Sequence, residues 1–214
     1  MEDNNQNYLL SLQYYDSPID ALRSSAEKNK VPIIDQLSLD LIKQLIRIHN
    51  SKQILEIGSA IGYSAMQFAS VNSDIQVTTI ERNEAMIQEA KANIENLGYQ
   101  SQIQLIEADA ADALELVNDR IYDMIFIDAA KAQSQRFFEL YSPLLREKGV
   151  IITDNVLYHG FVANIDVVKS RNVKQMVKKV QKYNAWLSQR EDYSTNFVHM
   201  DDGLAISIKE SKND

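Results

Sequence analysis

The chain has 214 residues, 45% of them hydrophobic and 24% charged, which is an ordinary globular composition with apolar material for one sizeable core. It contains no cysteine, which excludes disulfides, thiolate metal sites and a cysteine nucleophile. The net charge of −8 argues against a nucleic-acid partner for the chain as a whole, and the acidic, polar opening MEDNNQNYLL with no long apolar run points to a cytoplasmic protein with no membrane segment.

The first fifty residues read as helices, an N-terminal extension covering the ligand site. Pro18 can open one helix that runs to about Asn29. A second, from Asp35 to about His49, places Leu37, Leu41, Leu45 and Ile48 at helical spacing, with Val31 to Ile34 as the joint. The chain then alternates. Strands are expected at Gln53–Ile57, Ile75–Ile80, Ile103–Ile106, Tyr122–Ile127 and Gly149–Thr153. The helices between them run from the glycine turn to about Val71, from Asn83 to Leu97 where Gly98 stops it, near Ala110 to Val117, and from about Ala132 to Leu145. A long helix over roughly Val167 to Gln189 comes next, then runs at Tyr193–His199 and Leu204–Lys209 joined through Asp202-Gly203, a hairpin signal. Repeated strand–helix units predict a doubly wound parallel sheet, and the closing hairpin makes it a seven-stranded mixed sheet, α/β with helices on both faces. The whole chain forms one domain.

The first strand runs into Glu56-Ile57-Gly58-Ser59-Ala60-Ile61-Gly62-Tyr63-Ser64, a nucleotide-type turn. A dinucleotide frame puts small residues at three positions that here hold Gly58, Ala60 and Tyr63, and the tyrosine weakens that reading. Glu81, 19 residues beyond Gly62, suits ribose hydroxyls. A nucleoside without a pyrophosphate fits better than NAD, and S-adenosylmethionine is one. Backbone amides at Gly62 to Ser64 and the Ser64 hydroxyl could hold its carboxylate, and Asp109 would face the adenine. Glu81 also suits a helix N-terminus, and Asp109 equally suits an N-cap.

Two buried-strand patterns end in oxygen side chains, Asp128 in one and Asp154-Asn155 in the other. A buried parallel strand is continuously apolar, so acids at its carboxyl end require a reason, and that edge is where open α/β sheets bind ligands. Three hard oxygen donors select Mg²⁺, with Mn²⁺ or Ca²⁺ as alternatives, over zinc. An ion there would bind two adjacent substrate oxygens and favour loss of a proton from one of them. Lys131, three residues after Asp128, is placed to act as general base. His159 lies close enough after Asn155 to contact substrate but reads more simply as a loop residue, and His49 and His199 read as structural.

One more segment stands out. From Val167 to Arg190 there are seven basic residues and no acid, on an otherwise acidic chain. Lys174, Lys178 and Lys182 form an i, i+4 row opposite an apolar stripe of Val173, Val177, Val180, Tyr183 and Leu187. The positive face fits a lane for phosphates, with Lys169 and Arg171 at its start, and a merely solvated face is the alternative.

Taken together, E-x-G-x-x-x-G-Y-S, I-E-R-N-E, F-I-D-A-A-K and I-I-T-D-N-V-L resemble the cation-dependent O-methyltransferases of the catechol and caffeoyl-CoA type, in their order and spacing from about Val31 onward. The resemblance implies methyl transfer from S-adenosylmethionine to one of two vicinal oxygens on Mg²⁺. It implies Asp128, Asp154 and Asn155 as metal ligands and Lys131 with Asp128 as the catalytic pair. Around the methyl donor it implies Ile34 (or Ile33), Glu56, Gly58, Gly62, Ser64, Glu81, Asp109, Ala110 and Asp128. VPII, LEIGSAIGYSA, FIDAAKAQ, ITDNVLYHG and DDGLAIS resemble in particular the bacterial members that methylate 5-hydroxyuridine at the tRNA wobble position. That implies a tRNA partner, contacted in the anticodon region, and a homodimer. A small-molecule catechol-type methyltransferase and a noncatalytic nucleoside-binding module remain the other readings.

Overall fold

The computed structural model describes residues 2–211. Seven strands form a single sheet in the order β3-β2-β1-β4-β5-β7-β6. They are β1 Gln53–Ile57, β2 Gln76–Glu81, β3 Ile103–Glu107, β4 Tyr122–Ile127, β5 Leu145–Asp154, β6 Tyr193–Val198 and β7 Leu204–Lys209. The first five pair in parallel, whereas β7 runs antiparallel to both β5 and β6. The strand order reverses between β1 and β4, so the crevice at their carboxyl ends is the fold's natural ligand position.

The central strands are apolar because both faces are covered, and alternate residues serve the two faces. Ile54, Val77, Phe126 and Ile152 join one core, with Ala26 of α2 (Asp20–Lys28), Leu39 of α3 (Gln36–His49), Phe68 of α4 (Tyr63–Ala69) and Ile94 of α5 (Glu84–Asn96). Leu55, Ile80, Ile125 and Ile151 join the other, with Phe138 of α6 (Ser134–Tyr141) and Tyr183 of α7 (Arg171–Ser188). Phe68 meets Phe126 edge-on at 5.5 Å, which locks α4 over the sheet.

Several boundaries differ from the sequence expectation for identifiable reasons. A further helix, α1 (Glu2–Ser11), precedes the predicted ones. The helix expected over Ala132–Leu145 is broken into a 3-10 turn, α6 and a second 3-10 turn at Ser142–Leu144, because Pro143 cannot donate to a continuing helix. β5 begins at Leu145, and Arg146–Gly149 loop out of it between the Tyr122–Leu145 and Met124–Val150 pairs. Lys148 takes φ +58 there, and a Cβ on Gly149 would lie 2.6 Å from Leu145 Cγ. The helix expected near Ala110–Val117 shrinks to one turn at Leu114–Leu116, because Asp109 captures the Ala111 and Asp112 amides. α7 starts at Arg171, where the Ser170 side chain caps it.

The face of α3 is also corrected. Leu39, Ile42 and Ile46 are buried, whereas Leu37, Leu41 and Leu45 are half-buried and Ile48 is 80% exposed. Both stripes have helical spacing, and contact with α4 selects between them. On α7 the expected stripe holds at Val177, Val180, Tyr183 and Leu187, with Val173 only half-buried. Ile42→Ala should therefore destabilise the fold by about 2–4 kcal/mol in urea titration, while Ile48→Ala should change it by less than about 0.5 kcal/mol.

Candidate active site

A cavity of about 430 Å³ opens at the reversal between β1 and β4. Of the residues singled out in the sequence, Ile34, Gly58, Ser64, Glu81, Asp109, Ala110, Asp128 and Lys131 line it. The size and mixed lining suit a nucleoside-sized ligand.

Gly58 is required at its position. It sits at φ +103, and a Cβ there would come within 2.5 Å of the Asp128 carbonyl oxygen. Its amide donates to Ile80 O at 3.0 Å, so the turn is stitched to β2 while the Asp128 amide donates to Ile57 O. Tyr63 does not obstruct the turn, because its ring is buried toward the N-terminal helices and its hydroxyl accepts from Arg23 Nε at 3.3 Å. The same Arg23 donates to the Ile34 carbonyl at 2.7 Å and so holds the Pro32–Ile34 wall of the cavity. Gly62 differs from expectation: its amide is taken by Ser59 O at 2.8 Å, leaving Ser64 as the cavity-lining member of that pair.

Glu81 accepts the amides of Ala60, Arg82 and Asn83 at 2.8–2.9 Å. These bonds fix its carboxylate at the cavity wall and leave acceptor capacity for one ribose hydroxyl. Asp109 lies on the same wall. The Ala111 amide and the Arg82 guanidinium, the latter at 2.7 Å, hold its carboxyl below the usual range. Arg82 and Asn83, the R-N of I-E-R-N-E, also line the cavity, as does Met86, which no local pattern had marked.

Glu56 lies beneath the turn, fully buried, and burial pushes its carboxyl up to about 7 against the opposing help of Ser64 and Thr79. Its Oε1 and the Ser59 hydroxyl are buried with no hydrogen-bond partner. Such orphaned groups are rare in native folds; Ser59 lines the cavity, so its hydroxyl is free for a polar ligand, whereas Glu56 lies behind that lining.

The acid-tipped strands meet as their register requires. Ile127 pairs with Thr153 in the parallel β4–β5 ladder, so Asp128 and Asp154 leave adjacent strands side by side. Burial lifts the Asp128 carboxyl to about 7, with the Glu56 and Asp35 charges adding and Lys131 opposing. Asp154, 8% exposed, is raised well above its ordinary value by burial and then by Asp128. Lys131 is the basic side chain whose charge both acids feel, and its Nζ stands 5.9 Å from the Tyr158 ring centre. Asn155 follows at φ +60. The expected donor set would be two carboxylates and one amide, and among the described residues no group of three or more His, Cys, Asp or Glu side chains is placed to hold a metal ion. Oxygen-only donors and two carboxylates that disfavour each other's charge fit a hard divalent cation.

α7 lies alongside this end of the sheet, with Gln181 and Asn184 donating to the Val162 and Val156 carbonyls at 2.8 Å. Lys169, Arg171, Lys178 and Lys182 are exposed and Lys174 is half-buried. Among the described residues none of these five is in an ion pair. Arg190, at the end of the basic run, pairs instead with Asp192 and lies over Trp186.

A family profile described as O-methyltransferase matches residues 14–210. A Staphylococcus aureus structure provisionally described as a caffeoyl-CoA O-methyltransferase is 63% identical, with a TM-score of 0.93 over 96% of this chain and 99% of that one. A catechol O-methyltransferase of Niastella koreensis is 30% identical over 79% of this chain and 77% of its own length. The O-methyltransferase imqG of Aspergillus flavus is 31% identical over 61% of this chain, a match that spans 58% of that protein.

The raised acids set a pH dependence. Asp128 and Asp154 bind protons more tightly in the folded chain than in the unfolded one, so ligand-free stability falls as pH rises from about 4 through about 7 for Asp128, with Asp154 adding in the same direction. Asp154→Asn should stabilise the cation-free protein by about 1–3 kcal/mol at pH 8 and by little at pH 4, read by urea titration at the two pH values.

Proposed function

The chain belongs to the O-methyltransferase family, and from that premise we propose that it moves a methyl group from S-adenosylmethionine to the 5-hydroxyl of 5-hydroxyuridine at the wobble position of tRNA, with a divalent cation, Mg²⁺, as cofactor. The observation that carries the reading is the juxtaposition of a nucleoside-sized cavity with Asp128 and Asp154 on adjacent strand ends. Uracil O4 and the 5-hydroxyl are vicinal oxygens, the arrangement a catechol also presents.

S-adenosylmethionine supplies an electrophilic methyl on a sulfonium. The cation, held by Asp128, Asp154 and Asn155, would stabilise negative charge on the acceptor oxygen. The protein's own residues divide the remaining work. Glu81 would orient the ribose, Asp109 and Ala110 would border the base, and Ser64 would face the amino-acid end, all four lining the cavity. Lys131, as the neutral amine rather than the ammonium that faces the acids at rest, would take the hydroxyl proton at Nζ; the freed oxygen pair would form the new C–O bond, and the C–S bond would break to leave a neutral thioether. Tyr158, beside Lys131, offers a flat wall for the acceptor ring.

Support for a polyanionic acceptor is the unpaired basic face of α7, next to the loop after Asp154. A second reading, a small catechol-type acceptor, is favoured by the Niastella koreensis relative. Nucleoside mass spectrometry separates the two. Incubating 5-hydroxyuridine-containing tRNA with the protein, S-adenosylmethionine and Mg²⁺ should add one methyl to that nucleoside. An unmodified nucleoside with efficient methylation of free catechol would refute the tRNA reading. Lys174→Glu, Lys178→Glu and Lys182→Glu should each weaken tRNA methylation by about tenfold or less, by a factor that shrinks as salt screens the contact, and leave catechol turnover unchanged.

A further inference from the structure

The loop after β5 carries Asn155 and cannot hold its own shape. Asn155, Tyr158 and His159 have φ of +60°, +43° and +57°, and Gly160 comes next at +73°. Side chains in the left-handed region persist only where surrounding structure fixes them. That support comes from the tip of the closing hairpin, residues 201–203, far away in the chain. Val156 N donates to Gly203 O at 3.1 Å, and Leu157 N to Asp202 O at 2.8 Å. His159 N donates to Asp202 Oδ1 at 2.8 Å, and its Nδ1 lies 3.2 Å from Asp202 Oδ2. Gly203 completes the fit, since a Cβ there would stand 2.5 Å from Leu157 Cγ.

The neighbouring acid reaches the opposite way. Asp201 accepts the Ser38 amide at 2.9 Å and the Ser38 hydroxyl at 2.8 Å. It thereby caps α3, whose own N-cap residue Asp35 makes no side-chain cap bond. Asp201 therefore fixes the helix that begins just after the Pro32–Ile34 cavity wall, while Asp202 fixes the loop that begins just after Asp154.

We propose that the Asp201-Asp202-Gly203 tip is a clasp in which Asp202 is a positioning residue, setting Asn155 and the 156–159 loop for cation and acceptor binding. The inference rests on the cation-dependent reading above. Asp202 does not line the cofactor cavity, so its effect travels through the backbone it holds. The His159 side chain is 65% exposed, so its contact with Asp202 Oδ2 contributes little, and the Asp202 side chain holds the loop chiefly through the His159 amide.

Titration calorimetry with Mg²⁺ on the full chain tests this without turnover. Asp202→Ala should weaken Mg²⁺ binding by about tenfold or more, because His159 N loses its side-chain acceptor and the loop that carries Asn155 loosens, while Asp202→Asn, which keeps an acceptor oxygen, stays within about threefold of the parent. In turnover assays Asp202→Ala should raise the acceptor KM and leave the S-adenosylmethionine KM unchanged. If Asp202→Ala fails to fold, Asp202→Glu, with its acceptor displaced by a methylene, should still bind Mg²⁺ more weakly than Asp202→Asn. Parent-like binding by Asp202→Ala, or equal binding by the Glu and Asn variants, overturns the clasp alone. A parent protein that takes up no Mg²⁺ overturns the functional reading and the clasp together.

Discussion

Two residues leaving neighbouring parallel strands start about one strand spacing, roughly 4.8 Å, apart at the backbone, which brings their carboxylates within repelling reach. In a medium that excludes water they repel, and burial disfavours the charge on each. The β4–β5 ladder leaves them little choice, because Ile127 opposite Thr153 brings Asp128 beside Asp154. The rest of this end of the molecule is arranged around that pair. Gly58 lacks a Cβ so that β1 can approach the Asp128 backbone. Lys131 turns back to set a positive charge near both acids. The orphaned Glu56 oxygen lies below the same crevice. Stability is given up here for affinity, which is the usual exchange at a functional site.

The arrangement has a division of labour. β1, β2 and their turns build one wall of the cavity from backbone bonds and one fixed glutamate. The loop after Asp154, outside the cavity lining, carries left-handed residues and is held by the hairpin and by α7. A fixed wall beside a loop held from elsewhere is the arrangement the proposed division between methyl donor and acceptor would use. Among the described residues no helix is long and apolar enough to cross a membrane.

The parts of this site that could be read from the chain were those where one residue breaks a local rule. Asp128 and Asp154 interrupt apolar runs, Gly58 sits in a strand–turn–helix frame, and Glu81 stands one strand further on. Strand positions were legible because both faces of the central sheet are buried, which makes the apolar runs continuous. The face of α3 was not, because Leu37-Leu41-Leu45 and Leu39-Ile42-Ile46 satisfy the same periodicity and only α4 distinguishes them. Nor was the clasp, since Asp201 meets Ser38 and Asp202 meets His159 across long stretches of sequence. Asp-Asp-Gly announces a turn, and nothing local says what its carboxylates hold. Arg23 is a similar case, its contact with the Ile34 carbonyl created by packing of α2 over the turn.

On the proposed function, Asp128, Asp154 and Asn155 together hold one divalent cation beside the methyl donor. Crystals grown with S-adenosylhomocysteine and Mn²⁺, with anomalous scattering recorded at the manganese edge, would show whether they do. A single strong peak is expected at the β4 and β5 carboxyl ends, coordinated by oxygens of all three side chains and facing Lys131. A cofactor-filled cavity with no peak there, or with manganese bound elsewhere, would contradict it.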